Sequence, residues 1–276
     1  MISYTTSEVR STFVYNRVTK RTNNKPITLH NVGLNPTEPM VFDVGLSEAD
    51  SLLLLSWYLD GGGNINTLNQ QKEVDPLRFR ADDFGNTNFC YGQLTGIHRP
   101  FEEDLEYAVV EKLFANPDDP SATIDYKTYT PHPNLPKPDC DKVVVSLDTT
   151  TNTLYYTAIY PKMNVIKDYA YDYVWHKRCA DSFVHILSTA YGSKVEGAYD
   201  IKKVNMLFVV VNMYILPEDF KYIDEYMDKV SFNTLNADEE EFDPNKYFTN
   251  LRIEKGSVNS VILPIIDDNN NQPIKQ

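Results

Sequence analysis

The sequence has few of the features that mark membrane proteins or secreted, disulfide-bonded proteins. Its longest apolar runs are residues 52–55 and 206–211. Both are far shorter than a segment of about 20 residues, the length that crosses a bilayer. The first residues contain no basic stretch followed by an apolar one, so we expect synthesis in the cytoplasm without a signal peptide. Only 3 cysteines occur among 276 residues, and their odd number and wide spacing favour a reducing compartment over a disulfide framework.

The sequence also lacks the short motifs that carry catalysis. No Gly-x-Ser-x-Gly elbow is present, and the glycines at 61–63 follow a predicted helix and lack the Gly-Lys-Ser/Thr of a phosphate loop. His176 and Cys179 lie one helical turn apart, but no second pair lies near them, which favours a buried aromatic helix face over a metal site. We therefore predict no catalytic residue, metal ion, cofactor or small-molecule substrate, and we predict that the protein is not an enzyme.

Basic residues are outnumbered, with 26 Lys and Arg against 39 Asp and Glu, and the net charge is −13. This balance argues against general binding of nucleic acid, which needs clustered cations to neutralise phosphates. Carboxylate pairs such as Asp168 and Asp172 leave open a second class, an acid-based hydrolase whose site is assembled only in the fold. A soluble module that binds a host protein or a glycan is the third class.

The chain has enough apolar residues for a packed core, at 42% hydrophobic and 12% aromatic. Helical spacing predicts helices over 47–59, 102–115, 168–191 and 218–230, the first of them marked by a Ser-x-x-Asp capping pattern at Ser47. Runs of β-formers predict a β-hairpin from 11–18 and 27–32, a second hairpin from 142–147 and 153–160, and a buried strand over 204–216. The expected fold class is α+β, with mixed, mainly antiparallel β-sheets packed with three to four helices and with extended arms.

Six prolines between residues 117 and 138 disfavour both helix and central strand. We therefore place a proline-rich extended linker at 117–138. Before it, residues 1–116 are predicted to form an N-terminal α+β domain with a basic β-hairpin arm. After it, residues 139–276 are predicted to form a C-terminal α+β domain with a polar tail.

Charge is divided unevenly along the chain. Residues 1–25 carry a net charge of +4 and the rest carries −17, with a net −7 concentrated in residues 218–254. Opposite patches of this kind suit contacts between copies of one chain, which build rings or filaments when they run head to tail. The candidate interface residues are Arg10, Arg17, Lys20, Arg21, Lys25, Asp238, Glu239, Glu240, Glu241 and Asp243.

These observations favour a structural role. The 19 tyrosines suit rigid, partly wet contact surfaces, because each gives a large contact area and a polar end at low entropic cost. We predict a self-assembling subunit of a large particle, a virion or bacteriophage component such as a neck, tail, capsid or occlusion-lattice protein. Its predicted partners are copies of itself and other proteins of the same assembly, without a membrane.

Overall fold

The structure, a computed structural model, describes residues 3–20, 25–69, 79–96, 104–115, 120–128, 130–189 and 199–237. The predicted α+β class is confirmed by a mixed sheet of six strands, although the described residues hold seven helices where three to four were predicted. In chain order the elements are β1 (Ser3–Thr5), α1 (Thr6–Lys20), β2 (Ile27–Asn35), α2 (Glu48–Asp60), α3 (Ile65–Asn69), α4 (Tyr91–Thr95), α5 (Leu105–Ala115), β3 (Ser121–Asp125), β4 (Lys142–Asp148), β5 (Thr153–Asn164), α6 (Tyr169–Ser188), β6 (Lys203–Ile215) and α7 (Lys221–Ala237).

The six strands lie in the order β1-β2-β6-β5-β4-β3. The pairs β1·β2 and β5·β6 are parallel, and the pairs β2·β6, β4·β5 and β3·β4 are antiparallel. Each parallel pair is joined through a helix, α1 in the first case and α6 in the second, as a parallel connection requires. The sheet is therefore built from two β-α-β units that meet at β2 and β6, and strands β4 and β3 are added beside β5.

The sheet contains strands from both sides of the predicted linker at 117–138. It takes β1 and β2 from before that segment, β3 from within it, and β4, β5 and β6 from after it. Strand β3, at residues 121–125, contains none of the prolines of this segment. The N–H groups that proline lacks are therefore not missing from the hydrogen bonds of this edge strand. One hydrophobic core joins residues from both sides of the segment.

The predicted N-terminal hairpin is wrong, because residues 6–20 form helix α1 and only its second strand exists, as β2. The β-formers in residues 11–18 suggested a strand. In the structure, Val9, Phe13 and Val14 are buried together on one side of the helix, at the spacing of a helical face. Packing of that face against β2 decides the local conformation over the β-propensity of its residues.

The other predicted elements are confirmed. Helix α2 begins at the Ser47–Asp50 capping box and ends at Gly61, whose φ of 64° is the left-handed conformation that glycine adopts at little cost. Helices α5 and α6, the β4–β5 hairpin and strand β6 lie where the sequence predicts them, and α7 follows a short 3-10 turn at residues 217–219. Strand β6 is less buried than predicted, since several of its residues are only half-buried.

No helix in the described ranges has the length and apolar character that a bilayer crossing requires. The predicted polar tail lies beyond residue 237 and thus outside the described residues.

Candidate functional site

The two arginines of the predicted basic surface that lie within α1 are bound to other parts of the same chain. Arg10 donates to the Glu38 carboxylate, and its guanidinium carbon lies 5.3 Å from the centre of the Tyr226 ring. Arg17 donates two hydrogen bonds to the Asp224 carboxylate, at 3.0 and 3.1 Å, and lies 4.6 Å from the Phe220 ring. Both arginines therefore help to hold α1 against α7 and its preceding turn.

Of the remaining predicted interface residues, the structure describes only Lys20 and Lys25. Lys20 is the last residue of α1, and Lys25 is exposed just before β2. Arg21, Asp238, Glu239, Glu240, Glu241 and Asp243 lie outside the described residues. The contact between the basic N-terminal part and the acidic region near residue 224 is made within one molecule at Arg17, so this arginine is not a free cation for a second copy.

A different surface emerges from the alternation of burial along the strands. In β4, Val143 and Val145 are buried, whereas Val144 and Ser146 between them are half-buried. In β5, Tyr156 and Ala158 are fully buried, and Tyr155 on the opposite face is 40% exposed. Since successive strand residues point to opposite faces, one face of the sheet is packed, and the described residues leave the other open. We call the second one the open face.

The open face has an apolar centre and charged residues at its rim. Thr157 pairs with Val144 on one neighbouring strand and with Leu207 on the other. Two residues further along, Ile159 pairs with Lys142 and with Val209. The row nearest the β4–β5 turn holds Asp148, Thr153 and Lys203, and the next row holds Ser146, Tyr155 and Asn205.

The packed face carries the helices and an aromatic core. Helix α6 contacts β5 and β6, α5 contacts β3 and β4, and α1 contacts β1 and β2. Trp175 of α6 donates a hydrogen bond to the Tyr126 hydroxyl at 3.0 Å, and Tyr91 stacks on Trp175 with ring centres 6.1 Å apart. These interactions place large buried side chains on the side of the sheet that carries the helices.

His176 and Cys179 belong to this core, in agreement with the aromatic helix face predicted for them. His176 Nδ1 lies 2.7 Å from the Tyr156 hydroxyl, and burial lowers the pKa of His176 to about 3, so the imidazole is neutral. The Cys179 thiol donates to Glu106 at 3.5 Å. Among the residues that the structure describes, no group of three or more His, Cys, Asp or Glu side chains is placed to hold a metal ion.

A cleft of about 430 Å³ lies where β5 and β6 approach the segment before β4. Prolines 136, 138 and 161 form part of its wall, together with Asn212. One carboxylate, Asp139, lies at its floor with its side chain only 4% exposed. The basic side chains that line it are Arg80, Lys127, Lys137 and Lys162.

Behind the cleft floor lies a chain of buried carboxyl groups. Asp139 accepts two hydrogen bonds from Arg80, at 2.6 and 3.3 Å, and the Asp168 carboxylate lies 4.0 Å from the same guanidinium. Burial, followed by the charge of Asp139, raises the pKa of Asp168 to about 7. Burial and the neighbouring Asp168 raise the pKa of Asp172 well above its ordinary value. At neutral pH Asp168 and Asp172 therefore hold protons that exposed aspartates would release.

Sequence reasoning missed this cluster because its members are distant in the chain. Asp168 precedes α6, and its carboxylate accepts a hydrogen bond from the backbone N–H of Asn164 at 2.8 Å, which fixes the turn between β5 and α6. Asp168 and Asp172 carried the one available signal, their spacing of four residues on a helix. Nothing in the sequence links them to Arg80 or Asp139.

The sequence matches no protein-family model and no curated protein.

Proposed function

We propose that the protein is a structural subunit that assembles with copies of itself through the open face of its sheet. The single observation that supports this proposal is the apolar surface of that face, where Tyr155 is exposed and Leu207 and Val209 are half-buried. Exposed contiguous apolar surface of this kind marks interaction sites in soluble proteins. A dimer formed in this way is a unit from which a larger particle can be built.

The size of the open face suits a contact between two copies. Its strands are spaced about 4.8 Å apart and the longer ones extend over at least roughly 23 Å, so the face covers on the order of 600 Å². A standard interface buries about 800 Å² on each partner, and side-chain relief adds to the projected area. The open face is therefore large enough to form most of a stable contact.

The open face carries charges of both signs, which favours a second copy of this chain over a partner whose charges all have the same sign. Lys142 is paired across the sheet with Asp125, and both side chains belong to the set that faces away from the core. A two-fold contact brings the same patch of both copies together, so a patch with both signs of charge and an apolar centre is complementary to itself. Two such sheets pack about 10 Å apart with their side chains interdigitated.

The proposal is tested by Tyr155→Lys, with Leu52→Lys as the matched control. Both residues are large exposed apolar side chains, 40% and 62% exposed, but Tyr155 lies on the open face and Leu52 lies on α2. We expect Tyr155→Lys to raise the dissociation constant of the oligomer at least tenfold, and Leu52→Lys to leave it unchanged, with both variants folded by circular dichroism. Equal oligomerisation of wild type and Tyr155→Lys would overturn the proposal.

The two alternative classes receive less support from the geometry. A glycosidase-type hydrolase needs two carboxyl groups facing its substrate. Among the described residues that line the cleft, Asp139 is the only acid, since Asp168 and Asp172 lie behind it. A glycan-binding module uses aromatic side chains exposed in a groove, whereas Trp57 and Trp175 are buried and the exposed aromatic residues Tyr15, Phe84 and Tyr155 lie outside the described cleft lining.

The kind of particle that the subunit would build stays a prediction from the sequence alone. A virion or bacteriophage component, made in the cytoplasm of the host cell and incorporated into virions, is the assembly we propose. The sequence-based hypothesis assigns the contact between copies to the charged N-terminal segment. We propose the open face instead, because Arg10 and Arg17 already have partners within the chain.

A further inference from the structure

The cleft at the ends of β5 and β6 has a positive lining that the proposed assembly does not use. Of its four basic side chains, Lys127 is paired with Asp141, and Arg80 and Lys162 both approach Asp139, with the Lys162 nitrogen at 3.5 Å. Arg80 also lies 4.0 Å from the partly protonated Asp168, and Lys137 donates to the Lys127 carbonyl. The carboxylates offset only part of the four positive charges, so the lining keeps a net positive charge of about one to two.

Arg80 is held in place at the inner end of this cleft. Its guanidinium forms a two-pronged contact with Asp139 and lies 4.8 Å from the Phe89 ring. Its backbone φ of 48° is in the left-handed region that residues other than glycine rarely adopt. Such strain persists only where the surroundings impose it, and it is concentrated at functional sites.

A second carboxyl group supports Arg80 from behind the cleft floor. The Asp168 carboxylate lies 4.0 Å from the Arg80 guanidinium and accepts a hydrogen bond from the Asn164 N–H at 2.8 Å, so Arg80 also contacts the turn before α6. The two hydrogen bonds to Asp139 use two of the five N–H groups of the guanidinium, and the other three donate to no acceptor among the described residues. A fixed arginine with lysines around it is an arrangement that recognises oxyanions.

We propose that this cleft binds a phosphate group, carried by a small phosphorylated molecule, with Arg80 as the fixed donor and with Lys137 and Lys162 closing over the anion. The lysines are compact charges on flexible stems, which suits them to close on a bound anion. The volume of about 430 Å³ exceeds what a free phosphate fills and lies in the range of small-ligand sites. The proline-lined wall gives the rest of such a molecule an apolar surface.

The test measures binding of inorganic phosphate to the full-length protein by titration calorimetry at low ionic strength, with Lys162→Met and the matched control Lys177→Met. Both lysines are half-exposed, at 54% and 50%, and each is paired with one aspartate, but Lys177 lies on α6 away from the cleft lining. We expect Lys162→Met to weaken phosphate binding at least fivefold and Lys177→Met to leave it within twofold. Thermal unfolding of both variants checks that the fold is retained.

A second titration separates phosphate from other oxyanions. Malonate carries two charges on planar carboxylates, so we expect it to bind at least tenfold more weakly than phosphate. Malonate binding as tight as that of phosphate would overturn the assignment of the ligand class. The site itself would be refuted by undetectable phosphate binding to wild type, or by equal losses in Lys162→Met and Lys177→Met, which would indicate a general effect of surface charge.

Discussion

Asp168 links the stability of this protein to pH. Burial and Asp139 raise its pKa to about 7 in the folded state, whereas an unfolded aspartate has a pKa of about 3.9. Between these two values the folded state holds a proton that the unfolded chain releases, so this group lowers stability as the pH rises from about 4 to about 7. His176 acts in the opposite sense, because its folded pKa of about 3 lies below that of an unfolded histidine.

The contribution of Asp168 is isolated by comparing Asp168→Asn with wild type by urea unfolding at pH 5 and pH 8. Because the amide does not titrate, we expect the variant to become more stable relative to wild type as the pH rises, by roughly 1–3 kcal/mol. Asp181→Asn is the control, since Asp181 is exposed and paired with Lys177. A difference between Asp168→Asn and wild type that does not change with pH would contradict the buried, protonated state of Asp168.

The cysteines give a second test at the residue scale. Cys90, Cys140 and Cys179 are buried and free, and burial raises the pKa of the Cys90 thiol to about 11. Because the thiolate is the reactive form, we expect none of the three to react with a thiol reagent in the folded protein within minutes, and all three to react in denaturant. Rapid labelling of any of them in the native protein would contradict the packing of this core.

At the scale of elements, sequence patterns predicted the helices whose ends carry local signals. Helix α2 has its capping box at Ser47 and its left-handed glycine at Gly61, both readable from neighbouring residues. Helix α1 lacks an equally clear signal, because its threonines, valines and tyrosine favour a strand and only the spacing of Val9, Phe13 and Val14 indicates a helix. Its conformation depends on contacts with β2 and α7, which sequence spacing does not reveal.

The contact between α1 and α7 is tested by a double-mutant cycle with Arg17→Met and Asp224→Asn. The pair is partly exposed, with side chains 24% and 44% accessible, so solvent screening keeps its coupling energy small. We expect a coupling of about 0.5–1 kcal/mol in urea unfolding, with no change in oligomeric state. Loss of oligomers in Arg17→Met without loss of stability would instead support the charged N-terminal segment as the contact between copies.

At the scale of the molecule, sequence predicted the α+β class and the mixed sheet but neither the single sheet nor its open face. In β4 the run Val143, Val144, Val145 is apolar without alternation, so the sequence cannot distinguish the packed face from the open one. The cleft is equally hidden, because Arg80, Asp139 and Lys162 are far apart in the chain and meet only in the folded structure. Long-range pairing of this kind is a property of the tertiary structure.

The central claim is that the open face joins copies of this chain, and the mass of the purified wild-type protein in solution tests it most directly. Light scattering coupled to size exclusion should give at least twice the chain mass of 31.7 kDa at micromolar concentration and above, with dissociation on dilution. A mass of one chain at every concentration up to the limit of solubility would contradict the account.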